Sequence, residues 1–364
     1  MEIKRYYKIV FENEEEKIKF ETEALNGNFF QFIEGSSGEL IIKTCKQPIV
    51  SNSAFLKLPG IAAREYAEVL SVYTDNDGNQ AVIPCGWTVS KVNKENTIFG
   101  VNCSLVIYRI PKEKVCYIDW TNSHEVETLQ RTYDQFVWTP VNLLKPNGTL
   151  DGDSFTEKFG RRNYRNVEFS ESEYNEVLTD ELVLQKESVD KYGGFFSSRY
   201  DISEDSKDKG RPRSIKGAYP WINEDRIMDY PSIANSMFKG EITSHLMYGA
   251  EYDTREEWVI ETKTKTFNDI AKDSSKWGNH WDTEGFSNEM LKTGACEEWC
   301  VNNIYDFTGN VTERTQEKHG SSSHVIRGCH YYEYGYHCPA DYRNYDVPFY
   351  KYNYPGFRVT ICIR

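Results

Sequence analysis

The residues of this 364-residue chain that could do chemistry crowd toward its carboxyl end. Between His330 and Tyr354 stand nine tyrosines, where even scattering of the chain's 25 would place about two. The same stretch holds histidine, aspartate, asparagine and glycine, and no Leu, Ile or Met. A strand region that only fills a core alternates aliphatic with polar residues, and this one does not. Tyrosine offers a broad, rigid, amphipathic face at low entropic cost, and short polar neighbours adapt their hydrogen bonds around it. This composition suits recognition of a protein or a glycan. The candidate contact residues are His330, Tyr331, Tyr332, Glu333, Tyr334, Tyr336, His337, Asp341, Tyr342, Tyr345, Asp346, Tyr350, Tyr352 and Tyr354. The competing reading is a Tyr-rich sheet packed on itself or on a neighbouring subunit, and strand alternation turns about half of such rings inward.

Other reactive groups carry weaker signals. Cys329, His330, His337 and Cys338 include metal-ligating types, but their spacing matches no zinc pattern. Glu297 and Glu298 beside Cys296 and Cys300 read as a solvated face rather than an acid–base pair. The nine cysteines are irregularly spaced and contain no Cys-x-x-Cys, so reduced thiols are expected. No metal and no cofactor is expected.

The elements that must position these residues follow from local pattern. Asn13 would cap a short acidic-headed helix through Leu25. Val69–Tyr73 and Ala81–Pro84 read as strands around the turn residues 74–79, Asn102–Tyr108 as another, and Phe136–Trp138 as a strand opening a new unit. A short helix is expected within Ser170–Leu184, and a polar loop at Ser203–Lys216. Further helices are expected from Pro231 and over about 249–261. Beyond residue 300 helical periodicity is absent. The main boundary is expected near 125–132, giving a β-rich N-terminal domain over residues 1–128 and an α+β domain over 129–364.

Composition narrows the function. With 43 basic against 56 acidic side chains the net charge is −13, which disfavours general nucleic-acid binding. No apolar run approaches the ~20 residues of a membrane span, so no membrane insertion is expected. The start Met1-Glu2-Ile3-Lys4-Arg5-Tyr6-Tyr7 lacks the features of a signal peptide, and synthesis in the cytoplasm is expected.

Several segments carry a family resemblance. Asn303-Ile304-Tyr305-Asp306-Phe307-Thr308-Gly309-Asn310-Val311-Thr312-Glu313-Arg314-Thr315 resembles the Gly-Asn-Val-Trp-Glu-Trp-Thr motif of the formylglycine-generating (sulfatase-modifying factor) family. Val325-Ile326-Arg327-Gly328 resembles its Arg-Gly-Gly segment, and Gly356-Phe357-Arg358 its terminal Gly-Phe-Arg. Upstream, Phe136–Val141, Tyr192–Tyr200 and Ser244–Asp253 are similar to its first strand, second strand and helix-opening motif. The order is kept over about 130–364. The resemblance implies a C-type-lectin-like fold in which Asn310, Glu313, Arg327 and Arg358 serve as scaffold. The copper-dependent oxidases of that family use two cysteines five residues apart, as thiolates suit Cu(I). Counted from Arg327, those positions fall on Glu333 and Cys338, and the motif's Trp positions are Thr312 and Arg314. One soft ligand is missing, so the chain is expected not to be an enzyme of that type.

The Tyr-rich window also resembles the variable proteins of diversity-generating retroelements, which share this fold and are diversified at adenines in C-terminal codons. Asn codons so treated yield Tyr, His, Asp, Ser, Cys, Phe and Gly, close to the content of 329–354. Such proteins act as phage tail tips or bacterial ligand-binding displays. Asp75–Pro84 and Gly86–Ser90 are similar to the β-rich lead-in that precedes this domain in phage and prophage proteins, where an attachment or oligomerising role fits. The resemblance implies a ligand-binding display protein, a phage tail receptor-binding protein among the options, with a protein or glycan partner on a target cell and homo-oligomers allowed. The copper oxidase and a virion structural protein are the alternatives.

Overall fold

The apolar runs of the sequence become the inner strands of a six-stranded antiparallel sheet. In the computed structural model, which describes residues 6–8, 30–34, 40–44, 58–61, 66–143, 159–162, 174–222, 229–240, 242–284, 288–320, 323–346 and 354–364, the chain is mixed α+β. Its sheet order is Ile242–Leu246, Val359–Ile363, Gly194–Ser198, Gln135–Pro140, Val106–Tyr108, Thr88–Val89, all neighbours antiparallel. Gln135–Pro140, Gly194–Ser198 and Val359–Ile363 are buried at every residue, so these strands are covered on both faces and show no alternation. Helix Asp180–Tyr192 packs on Gly194–Ser198 and Val359–Ile363, while helix Gly249–Glu261 lies against Gln135–Pro140 and Thr312–His319. The sheet curls strongly. Trp87, beside one edge strand, meets Phe238, beside the other, edge-to-face at 5.5 Å.

A second sheet joins Tyr174–Asn175, Thr312–His319, Ser323–Arg327 and Arg343–Asp346 in antiparallel order, with Pro355–Phe357 added parallel to Thr312–Arg314. Gly60–Ile61, Ser71–Thr74 and Gln80–Ile83 form a small third sheet, and the side chain of Asp75 closes its turn by accepting from the N–H groups of Asp77 and Asn79. The chain divides into two compact units, residues 1–55 and 56–364. In the first, Leu40–Thr44 pairs antiparallel with both Tyr6–Lys8 and Phe30–Glu34. The helix expected from Asn13 lies outside the described residues.

The position 128/129, expected to separate the N-terminal domain from the α+β domain, falls inside the larger unit. It lies in helix Ser123–Thr132, whose N-cap Asn122 accepts from the N–H groups of His124 and Glu125. That helix buries only Val126, Leu129 and Gln130, while its other residues carry the polar face. The strand that follows pairs with Val106–Tyr108 rather than opening a separate unit.

The expected helix within 170–184 starts later, at Asp180, because Thr179 caps it by accepting from Leu182 N–H. It runs to Tyr192 and ends on Gly193, whose φ of 80° suits a residue without a Cβ. The expected polar loop at 203–216 carries a small hairpin, Ser203–Glu204 with Pro212–Arg213. Helices Tyr230–Ser236, with Pro231 in its first turn, and Gly249–Glu261 stand where the pattern puts them. Among the described residues no helix is long and apolar enough to cross a membrane.

Candidate functional site

Strands Ser323–Arg327 and Arg343–Asp346 pair in a register that sets Arg327 opposite Arg343. The connection between them, residues 328–342, carries most of the candidate contact residues. It is closed at its base by Gly328 N–H donating to Tyr342 O at 3.1 Å. Inside it, Glu333 N–H donates to His330 O, and both His337 and Cys338 N–H to Tyr334 O. The loop therefore folds as successive tight turns.

The rest of the protein holds this backbone in place. Tyr331 N–H donates to Asn310 O, Trp281 N–H to Glu333 O at 2.9 Å, and Ser274 N–H to Gly335 O at 3.0 Å. Asp282 Oδ1 accepts from Gly335 N–H, Ser274 Oγ from Ala340 N–H, and Tyr252 Oη donates to Ala340 O. At Gly335 the approach is so close that a Cβ would lie 2.5 Å from Ser275 N and 2.6 Å from Ser275 Cα. Glycine is required there by space rather than by a turn.

With the backbone committed inward, several rings face out. Tyr332 is 62% exposed, Tyr336 50% and Tyr334 37%. Tyr334, Tyr336 and His337 pack together, with ring centroids 4.3 to 5.7 Å apart. Tyr332 meets Trp281 edge-to-face at 5.0 Å and Tyr331 at 6.1 Å. Tyr331, Glu333, Tyr342 and Tyr354 are half-buried. Tyr345, exposed on the following strand, stacks on His319 at 3.7 Å.

Asp341 and Asp346 do not join this surface. Both are buried; Asp346 is paired with Arg314 across the second sheet, and Asp341 lies beneath the loop, its N–H donating to Ile270 O. Both read as exposed from their polar setting, and Asp346 is drawn inside by a partner distant in sequence. Tyr350 and Tyr352 lie outside the described residues. Trp281 belongs to the surface although sequence reasoning did not single it out. Its signal was an aromatic in the polar run Asn279-His280-Trp281-Asp282.

Two histidines in the site are held neutral. Burial pushes His280 down to about 4, against the pull of Asp282 and Asp273. His330, lowered to about 4 by burial and then by His280, stacks on Tyr354 at 3.9 Å, and its Nδ1 accepts from Tyr332 N–H. The two cysteines of the loop meet: Cys329, buried, hydrogen-bonds the Cys338 thiol, and burial followed by that neighbour raises the Cys329 thiol. Position 333, where the resemblance would place one of two thiolates five residues apart, carries a carboxylate, so that spacing of cysteines is not reproduced.

Beneath the loop lies a buried ionic frame. Arg327 pairs with Asp253 at 2.6 Å and Glu317 at 3.3 Å; Arg343 and Arg161 also pair with Glu317. Burial opposes ionisation of Glu317, but Arg343, Arg327 and Arg161 together bring it down to about 2. Arg358 pairs with Glu313 at 2.6 Å, and Glu313 also takes Arg255 at 3.0 Å. Asn310 holds the segment at 279–291, its Oδ1 accepting from Leu291 N–H and Asn279 Nδ2. These groups face inward and bind neighbouring backbone, as scaffold residues do.

No protein-family model and no curated protein matches the chain. Two solved structures are partly similar. PvdO from Pseudomonas aeruginosa is 18% identical over 47% of this chain and 81% of that one, with a TM-score of 0.34. Treponema denticola variable protein 1 is 17% identical over 34% of this chain and 48% of that one, with a TM-score of 0.24.

Proposed function

We propose that this chain is a ligand-binding display protein with a C-type-lectin-like frame, similar in character to retroelement-diversified variable proteins and phage tail receptor-binding proteins. The observation that carries the reading is the separation of roles in the 328–342 loop. Its backbone is hydrogen-bonded to the body of the protein, while Tyr332, Tyr334 and Tyr336 turn outward. A surface fixed in advance loses little entropy on binding, and its aromatic faces fill protein pockets or stack on sugar rings. The partner class is a protein or a glycan on a target cell. The carboxylate at 333 argues for recognition over copper-dependent oxidation.

The test is binding of the full chain to a glycan array and to a panel of intact bacterial cells, repeated with Tyr332→Ser and Tyr336→Ser combined. Both rings are exposed, so the double variant should keep its unfolding free energy within about 0.5 kcal/mol of the parent per substitution while binding falls about tenfold or more. Binding that survives the double change would overturn the reading, as would stoichiometric Cu(I) uptake lost in Cys338→Ala. The retroelement version requires sibling sequences that differ mainly between 329 and 354 beside a reverse transcriptase gene; even variation along the chain would remove it.

A further inference from the structure

The curl of the six-stranded sheet leaves a cleft of about 810 Å3 where its two edges approach, apart from the Tyr-rich loop. One wall comes from the strand edge at Gly86 and Trp87, the other from Phe238 and Ile242. Trp87 and Phe238 line the cleft and meet edge-to-face at 5.5 Å, backed by the buried ring of Phe136. Tyr66 and Tyr133 continue this lining.

The charge around the cleft runs against that of the whole molecule. Four cations line it, Arg109, Arg211, Arg213 and Lys239, against a single carboxylate, Asp134. Arg213 is already committed: it donates to Asp134 at 2.9 Å and to Asp205 at 2.7 Å. The guanidinium of Arg109 lies over the Phe238 ring at 4.6 Å and has no carboxylate partner among the described residues. Arg211 and Lys239 likewise form no ion pair there, and all three side chains are exposed. In a chain with a net charge of −13, three exposed cations from three separate segments, none of them ion-paired among the described residues, meet on this one cleft.

We propose that this seam cleft is a binding site for a small organic anion, an acidic head group on a flat apolar body. The body would lie against the aromatic lining, and Arg109, Arg211 and Lys239 would take the head. The volume suits a ligand of ordinary small-molecule size, and the lining sets aromatic edges among convergent polar and cationic groups. Arginine suits the role because its planar fork binds carboxylate, sulfonate or phosphate through two parallel donors while its face stays on a ring.

Calorimetric titration of the full chain tests this with three probes: naphthalene-2-sulfonate, 2-naphthol as the uncharged body, and inorganic phosphate as the bare head. The sulfonate should bind one per chain, more weakly as NaCl rises, and each of the other two about tenfold or more weakly. Arg109→Ala should cost about tenfold in sulfonate affinity. Because Arg109 also packs on Phe238, Arg211→Glu is the second variant; it touches no ring and should weaken the sulfonate without changing the unfolding midpoint. The Tyr332 and Tyr336 variants should bind the sulfonate as the parent does, which separates this site from the display surface. Absence of saturable binding, equal affinity for 2-naphthol, or unchanged affinity in Arg211→Glu would overturn the proposal.

Discussion

At the scale of single residues, the candidate surface depends on rings that are kept uncharged. Neutral His330 can accept from Tyr332 N–H through Nδ1; a proton on that atom removes the acceptor and turns the contact repulsive. His280 sits beside it, buried. Both rings are lowered from 6.5 to about 4, so over that interval the folded state binds fewer protons than the unfolded state. Their contribution to stability is complete above pH 6.5 and drains away as the pH falls toward 4. Hydrogen exchange of the 329–342 amides should therefore quicken between about pH 7 and about pH 4.5, after correction for intrinsic rates, and His280→Phe with His330→Asn should flatten that dependence. Protection of the parent loop that stays level across the range would refute this account. The outward tyrosines were legible in the sequence because their density has no use in a core. The burial of Asp341 and Asp346 was not, because an acid's environment is set by partners that can lie anywhere in the chain.

At the scale of elements, the connection 328–342 has no regular secondary structure, yet its backbone is hydrogen-bonded along its length to the body of the protein. Its order comes from hydrogen bonds to the 270–282 segment and from the close approach at Gly335. Gly335→Ala places a Cβ against the backbone of Ser275, which cannot swing aside as a side chain would. The expected cost is about 1–3 kcal/mol, concentrated in the loop, and binding by the Tyr surface should weaken with it. Gly160→Ala is the matched control, since a Cβ there meets nothing within 4 Å. Urea unfolding and loop-amide exchange would decide; a Gly335→Ala protein as stable and as protected as the control would show that the approach is not limiting. Helices with a strong cap or a proline in the first turn were readable in advance, as at Tyr230–Ser236. The loop's anchorage was not, because its partners stand some sixty residues upstream and carry no local pattern that marks them.

At the scale of the whole molecule, the two larger sheets are bridged by Arg358, a side chain that the sequence marked only through a resemblance. Arg358 sits where the chain passes from Pro355–Phe357 in the second sheet to Val359–Ile363 in the first. Fully buried, it donates to Glu313 at 2.6 Å and to the carbonyls of Tyr305, Asp306 and Ser198. It also lies 3.1 Å from Asp201, whose carboxyl burial drives well above its ordinary value even against the pull of Arg358. The same continuity runs across the polar helix Ser123–Thr132, where Val106–Tyr108 before it pairs with Gln135–Pro140 after it inside the compact unit 56–364. Removing Arg358 should therefore be felt across the unit rather than locally. Arg358→Ala leaves Asp201 without its cation and Glu313 with Arg255 alone, and it strips three carbonyls of their donor. The expected loss is roughly 3–5 kcal/mol, large against the stability of an ordinary domain. Arg358→Lys keeps the charge but cannot fork to several acceptors at once, so it should fall between the parent and Arg358→Ala. Denaturant unfolding followed separately by tryptophan fluorescence and far-ultraviolet circular dichroism should give one shifted transition by both probes. An alanine variant within about 1 kcal/mol of the parent, or transitions that separate by probe, would mean that the two sheets are held together by something other than this arginine.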